Sequence, residues 1–152
     1  MNVESLKKLL DTCFLAKRVV ETLPELPEGM KPRHIHVLDA IHEAQTRHGM
    51  CRVSDVSTRL NTTMPSITRL IQELERMGML EKHADQNDKR VTLLSLTDSG
   101  MKCVNRHVLK LHSAWAEELA DVSDEQVEEV EHIIRRLMAT MPGKKEGEPY
   151  GK

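Results

Sequence analysis

Aromatic side chains are almost missing from this sequence: one Trp, one Tyr and one Phe in 152 residues. A dense core must then come from Leu, Val, Ile and Met, which suits helices packed on helices. The same shortage argues against partners bound by stacking unpaired bases on rings, so single-stranded nucleic acid is not an expected partner. Cysteine is scarce as well. Cys13, Cys51 and Cys103 are odd in number, widely spaced and form no CxxC pair. That excludes a disulfide frame and a zinc knuckle, and it fits free thiols in a reducing cytoplasm. No apolar run nears the roughly 18 residues that cross a bilayer. Met1–Leu10 lacks the charged-then-apolar layout of a secretory leader, so no membrane partner is expected.

What is present is a globular balance of 39% hydrophobic and 30% charged residues, enough for one domain with its own core. The net charge of −2 is unevenly spread. Residues 47–90 carry eight Lys or Arg against six Asp or Glu, whereas 115–142 carry two against eight. A weakly basic middle and an acidic C-terminal segment suit a chain that offers one part to an anionic partner and keeps another away.

Helical spacing dominates the first half. Leu6, Leu9, Leu10, Cys13, Phe14 and Val20 predict a helix over 3–23, broken by Pro24, Pro27 and Gly29. Pro32 opens a second helix and Gly49 stops it. Ser54 caps a short third helix over 55–60, and Asn61 makes the turn after it. Thr63 caps the fourth, with Pro65 in its first turn. Along this helix Ile67, Leu70, Ile71, Leu74 and Met77 form one apolar stripe that Gly78 ends.

The period then switches. Residues 79–85 and 90–96 read as strands around the polar turn Gln86-Asn87-Asp88-Lys89, a hairpin. Thr97 caps a long fifth helix reaching about residue 119. Ser123 and Gln126 form a capping box for a sixth, with Val127, Val130, Ile134, Leu137, Met138 and Met141 inward. A polar tail, expected to be disordered, fills 143–152.

Two helices joined by a tight turn and followed by a hairpin give a mainly α fold with a small β-hairpin wing. The expected division is a winged helix-turn-helix over 31–100 and a helical region from 1–30 and 101–142. With its stripe buried, the fourth helix presents Thr63, Pro65, Ser66, Thr68, Arg69, Gln72 and Arg76 on its other sides. Arg can hold a guanine edge with two donors and Gln can pair with adenine. Hydroxyls and free N–H groups near a helix start can position phosphate. The alternative is a solvated face with two arginines. At the hairpin tip Lys89 and Arg90 can reach past the domain, and an Arg there can enter a narrow minor groove, with Asp88 orienting it. An ordinary charged turn is the other reading.

Asp88-Lys89-Arg90 followed by Leu96-Thr97 and Gly100 matches the D-x-R-x(5)-L-T-x-x-G wing signature, and the chain resembles the MarR family of bacterial and archaeal regulators. Thr63-Met64-Pro65-Ser66-Ile67-Thr68-Arg69-Leu70 is similar to that family's recognition helix, and Val53-Ser54-Asp55-Val56 with Leu60 to the helix before it. The resemblance implies a double-stranded DNA-binding regulator, a repressor by default. Ser66, Thr68, Arg69 and Gln72 would lie in the major groove and Arg90 in the minor groove. It also implies a homodimer with intertwined first, fifth and sixth helices. Leu6, Leu9, Leu10, Phe14, Val127, Val130, Ile134 and Leu137 are the candidates for that seam; closing a monomer core is the alternative.

The chain departs from the family at Asn61, where Gly is common, at His34, where Gln is frequent, and at Ile35, where an aromatic is frequent. His34 and Ile35, with Cys13 on the first helix, mark the candidate pocket for a small-molecule effector. Cys13 followed by Phe14 also resembles the thiol-sensing branch, which uses nearby tyrosines; the one Tyr here is Tyr150, in the tail. An inert, buried Cys13 is the simpler reading. The eight His do not assemble a metal set: His107 and His112 are five apart, about 140° around a helix axis, and His34 and His36 are two apart. No cofactor, phosphate loop or nucleophile–base pair is apparent, so an enzyme is not expected. A winged helix used only for protein assembly is the rival reading.

Overall fold

A computed structural model describes residues 1–142. The elements along the chain are α1 (Val3–Glu21), α2 (Pro32–His48), α3 (Val53–Arg59), α4 (Met64–Arg76), β1 (Leu80–Ala84), β2 (Thr92–Leu96), α5 (Asp98–Val104), α6 (Lys110–Glu118) and α7 (Asp124–Thr140). A π-helical stretch, Asn105–Leu109, joins α5 to α6, so the long fifth helix expected from sequence is one rod with a widened turn inside it. The expected tail, with Tyr150, lies outside the described residues.

Everything central packs on α2. It buries His34, Ile35, Val37, Leu38, Ala40 and Ile41, a broader face than one stripe because other elements approach from more than one side. Val56 of α3, Ile67, Ile71 and Leu74 of α4, and Leu80 and Leu94 of the hairpin fill in around them. Cys103, Val104 and Val108 close the core from α5 and the π turn. The core is aliphatic, as the composition requires; each such side chain contributes about 1.5–3 kcal/mol through removal from water. Cys103, Val104 and Val108 thus belong to this core, while Asn105 and Arg106 between them are exposed.

Local chemistry sets the element ends. Asn61 adopts the left-handed conformation, φ +49°, at the turn between α3 and α4. The start of α3 corrects the expectation of a Ser54 cap: the helix begins at Val53, because Asp55 reaches back and its carboxylate accepts the Arg52 N–H at 2.8 Å. Leu80 pairs with Leu96 and Ala84 with Thr92 in the antiparallel hairpin. Residues just before α3 add a short third pairing, with the Leu94 N–H donating to the Cys51 carbonyl at 2.8 Å.

The Leu-Thr-x-x-Gly run has a steric cause. The Thr97 hydroxyl donates to the Gly78 carbonyl at 2.6 Å and accepts the Gly100 N–H at 3.1 Å. That draws α5 against the end of α4, and a Cβ on Gly100 would lie 1.9 Å from the Met79 carbonyl oxygen.

Neither α1 nor α7 buries a residue. Val127, Val130 and Met141 are exposed, and Ile134, Leu137 and Met138 are half-buried, so the expected inward direction of this stripe is corrected: among the described residues none of the stripe is buried. On α1, Leu6, Leu10 and Phe14 are exposed and Leu9 is half-buried, so among the described residues none of them enters the core. The Ser123–Gln126 capping box is present, with the Ser123 N–H donating to Gln126 Oε1 at 2.9 Å. Among the described residues no helix is long and apolar enough to cross a membrane.

Candidate nucleic-acid interface

The fourth helix divides as its sequence dictates. Ile67, Ile71 and Leu74 are buried, while Pro65, Ser66, Thr68, Arg69, Gln72 and Arg76 are all exposed. Pro65 lacks the N–H that would go unbonded in a first turn anyway. Thr63 is the capping residue by position, yet its hydroxyl donates to Ser66 Oγ at 3.0 Å instead of capping a backbone N–H.

Arg69 does not float free. Its Nε donates to Glu73 Oε1 at 3.2 Å, one helical turn on. Glu73 Oε2 in turn meets His34 Nε2 at 2.7 Å. The hydrogen bond from His34 is the main reason the Glu73 carboxyl titrates below the ordinary carboxylate value, and the Arg69 bond adds to it. Sequence reasoning missed Glu73. The only local signal was its i, i+4 spacing from Arg69, which many solvated helix faces share.

At the wing, Arg90 stands in the tip rather than in the second strand, which starts at Thr92. Asp88 accepts from Arg90 Nε and Nη2, each at 3.1 Å, and from the Arg90 backbone N–H at 3.0 Å. This holds the Asp88 carboxyl below its usual value and Arg90 above its own. Lys89 is exposed beside them.

The two elements share a cleft. Thr68 and Gln72 of α4 line a cavity of about 460 Å³ together with Arg90 of the wing, and Arg52 and Lys82 add cationic groups to it. Lys82 is paired with Glu75 at 2.8 Å. Thr68 and Gln72 of α4 and Arg90 of the wing therefore open onto one concave surface; Arg69, Arg76 and Lys89 lie outside its lining, and Ser66 lines a different cleft.

The expected effector trio is not brought together as a lining. His34 and Ile35 are 1% and 2% exposed in the core, because the first turn of α2 packs on α4. Cys13 is half-buried on α1, and none of the three lines the cleft of about 460 Å³ or a larger one beside α1. The larger cleft, of about 630 Å³, lies where the end of α1 meets α2 and the α3–α4 turn, lined by Val20, Arg33, His36, Arg59 and Ser66. His36 also donates to the Val20 carbonyl, tying α1 to α2. Among the described residues no group of three or more His, Cys, Asp or Glu is arranged to hold a metal.

Residues 28–91 match the model described as the MarR family. The transcriptional repressor MprA of Escherichia coli (strain K12) is 26% identical over 99 residues, 65% of this chain and 56% of that protein. The HTH-type transcriptional repressor MdtR of Bacillus subtilis (strain 168) is 24% identical over 110 residues, 72% of this chain and 68% of that one. This chain thus spans little more than half the length of the first of these relatives. Among solved structures, BldR from Sulfolobus solfataricus superposes with a TM-score of 0.68 at 18% identity, covering 93% of this chain and 100% of that one. FabT of Streptococcus pneumoniae, solved in complex with DNA, gives 0.65 at 24% identity over 91% and 96%. At such identities the structures establish the fold, a winged helix with a helical flank. The matched segment covers less than half of the chain; with the aligned repressors, the wing signature and its geometry, it makes this chain similar to the MarR family over its winged helix.

Proposed function

We propose that this chain is a sequence-specific regulator of transcription that binds double-stranded DNA as a homodimer and represses by occupying a pseudo-palindromic operator. The observation that carries this reading is the shared cleft: Thr68, Gln72 and Arg90 line one cation-bearing concavity between a helix and a wing. Such a surface fits a duplex, with the helix in the major groove and the arginine in the flanking minor groove. Arg69 and Ser66 contact the groove edge and backbone from the same helix. The repressor names of MprA and MdtR, and the DNA in the FabT structure, agree with it.

Dimerisation is supported by what α1 and α7 leave uncovered. Phe14 is 70% exposed and Val130 61%, a cost in water that a second copy would remove. The two reading heads would then face half-sites about one helical turn apart. A small-molecule effector fits best in the cleft beside Arg33, His36 and Arg59, next to the first turn of α4, where it would shift the balance between two spacings of the heads. Selection of bound sequences from a random duplex pool tests the proposal. Enrichment of a two-fold-related site supports it; enrichment of nothing favours the assembly-module reading.

A further inference from the structure

The carboxylate of Glu73 is shared between the surface and the core. Its Oε1 accepts from Arg69 Nε at 3.2 Å, and its Oε2 accepts from His34 Nε2 at 2.7 Å. The Arg69 side chain is 79% exposed and His34 only 1%, so an ionised side chain of the reading helix reaches back to a ring buried in α2. The ring is fixed in turn. Its Nδ1 accepts the Lys31 N–H at 3.0 Å, which puts the proton of the neutral ring on Nε2 and aims it at Glu73. Lys31, His34, Glu73 and Arg69 thus form a row in which each group sets the donor or acceptor role of the next.

Holding α4 in place does not require this row, because Ile67, Ile71 and Leu74 already bury its apolar side. An exposed Arg–Glu pair adds little stability. On a face meant for phosphate, a carboxylate works against affinity. What the row supplies is direction. With Nε held by Glu73, the terminal nitrogens of Arg69 remain available, and these can grip a guanine edge with two donors.

We infer that Glu73, oriented by His34, is a positioning residue that aims Arg69 at one base pair and so sets sequence specificity rather than affinity. The inference rests on the DNA-binding function proposed above.

Two substitutions isolate the row. Glu73→Gln cannot serve both neighbours, since a carboxylate accepts at each oxygen whereas an amide accepts at one end and donates at the other. His34 cannot switch its proton to Nδ1 without losing the Lys31 bond. The buried contact keeps the amide oxygen, and the amide nitrogen then confronts Arg69 Nε–H and releases it. His34→Asn keeps an acceptor for Lys31 but is too short to reach Glu73.

The experiment selects sites from a random duplex pool with the wild-type protein, E73Q, H34N and R69A, then measures affinity for single-base variants, with thermal melting of each protein alongside. The wild-type protein selects a defined site. R69A loses preference at one symmetry-related position, and E73Q and H34N lose at least about fivefold in discrimination at that same position. H34N changes affinity for a duplex lacking the site less than about twofold, since no phosphate contact is removed, and E73Q, which also removes a negative charge from that face, does not lower it. The inference is overturned if E73Q and H34N retain the preference at that position. It is also overturned if they weaken uniformly at every position in step with lost folding. A wild-type protein that selects no site overturns the DNA-binding reading itself.

Discussion

Asp88 grips Arg90 with both carboxylate oxygens, each 3.1 Å from a guanidinium nitrogen, while the Arg90 side chain stays 90% exposed. The pair aims the guanidinium without covering it. Arg90→Ala should therefore weaken duplex binding and lower the slope of log affinity against log salt by about one. Asp88→Asn should cost less, since the charge remains and only its aim loosens. Anisotropy titrations at several salt concentrations check both; an unchanged slope in R90A removes the wing from the interface.

Gly100 is required by the backbone opposite it. With the Met79 oxygen 1.9 Å from where a Cβ would sit, Gly100→Ala must push α5 off the end of α4. Urea unfolding should show a loss of about 2–3 kcal/mol. A change below about 0.5 kcal/mol would mean the contact relaxes freely.

Placing a charge on the uncovered faces should separate two copies. Phe14→Glu and Val130→Glu lie outside the core, so the winged helix should stay folded while sedimentation shows a monomer. Duplex affinity should fall with it, because one head then binds one half-site. Dimers that survive both substitutions place the seam elsewhere.

Burial pushes the Cys51 thiol up to about 11, with Asp55 adding to the effect, and burial also raises Cys103. Both thiols should resist alkylation near neutral pH until the chain unfolds, as mass spectrometry after timed labelling would show. A thiol raised on folding has its stabilising share intact below the unfolded value of 9.0 and loses it as pH climbs through about 11. Cys51→Ser should flatten that alkaline fall; an equal fall in C51S would place its origin in other groups.

The parts of this molecule that were legible in its sequence are those set by neighbours along the chain. The stripe of α4, the change of period into the hairpin, the left-handed Asn61 and the Asp88–Arg90 pair all involve residues within a turn or two of each other. The His34–Glu73 bond was not legible, because its members are 39 positions apart and neither residue type signals the other. The α3 cap was misplaced for a smaller reason: Ser54 and Asp55 both can cap, and only geometry shows the carboxylate reaching Arg52. The inward expectation for Val127 and Val130 failed because an apolar stripe shows that a face needs cover, not which chain supplies it.

Whether α4 and the wing meet one duplex can be read by photo-crosslinking. Crosslinkers placed singly at positions 72 and 90 would be bound to a selected duplex and their attachment sites sequenced. Position 72 should capture bases of a half-site and position 90 nucleotides flanking the same half-site. Capture from one position but not the other, with the protein fully bound, would contradict that shared contact.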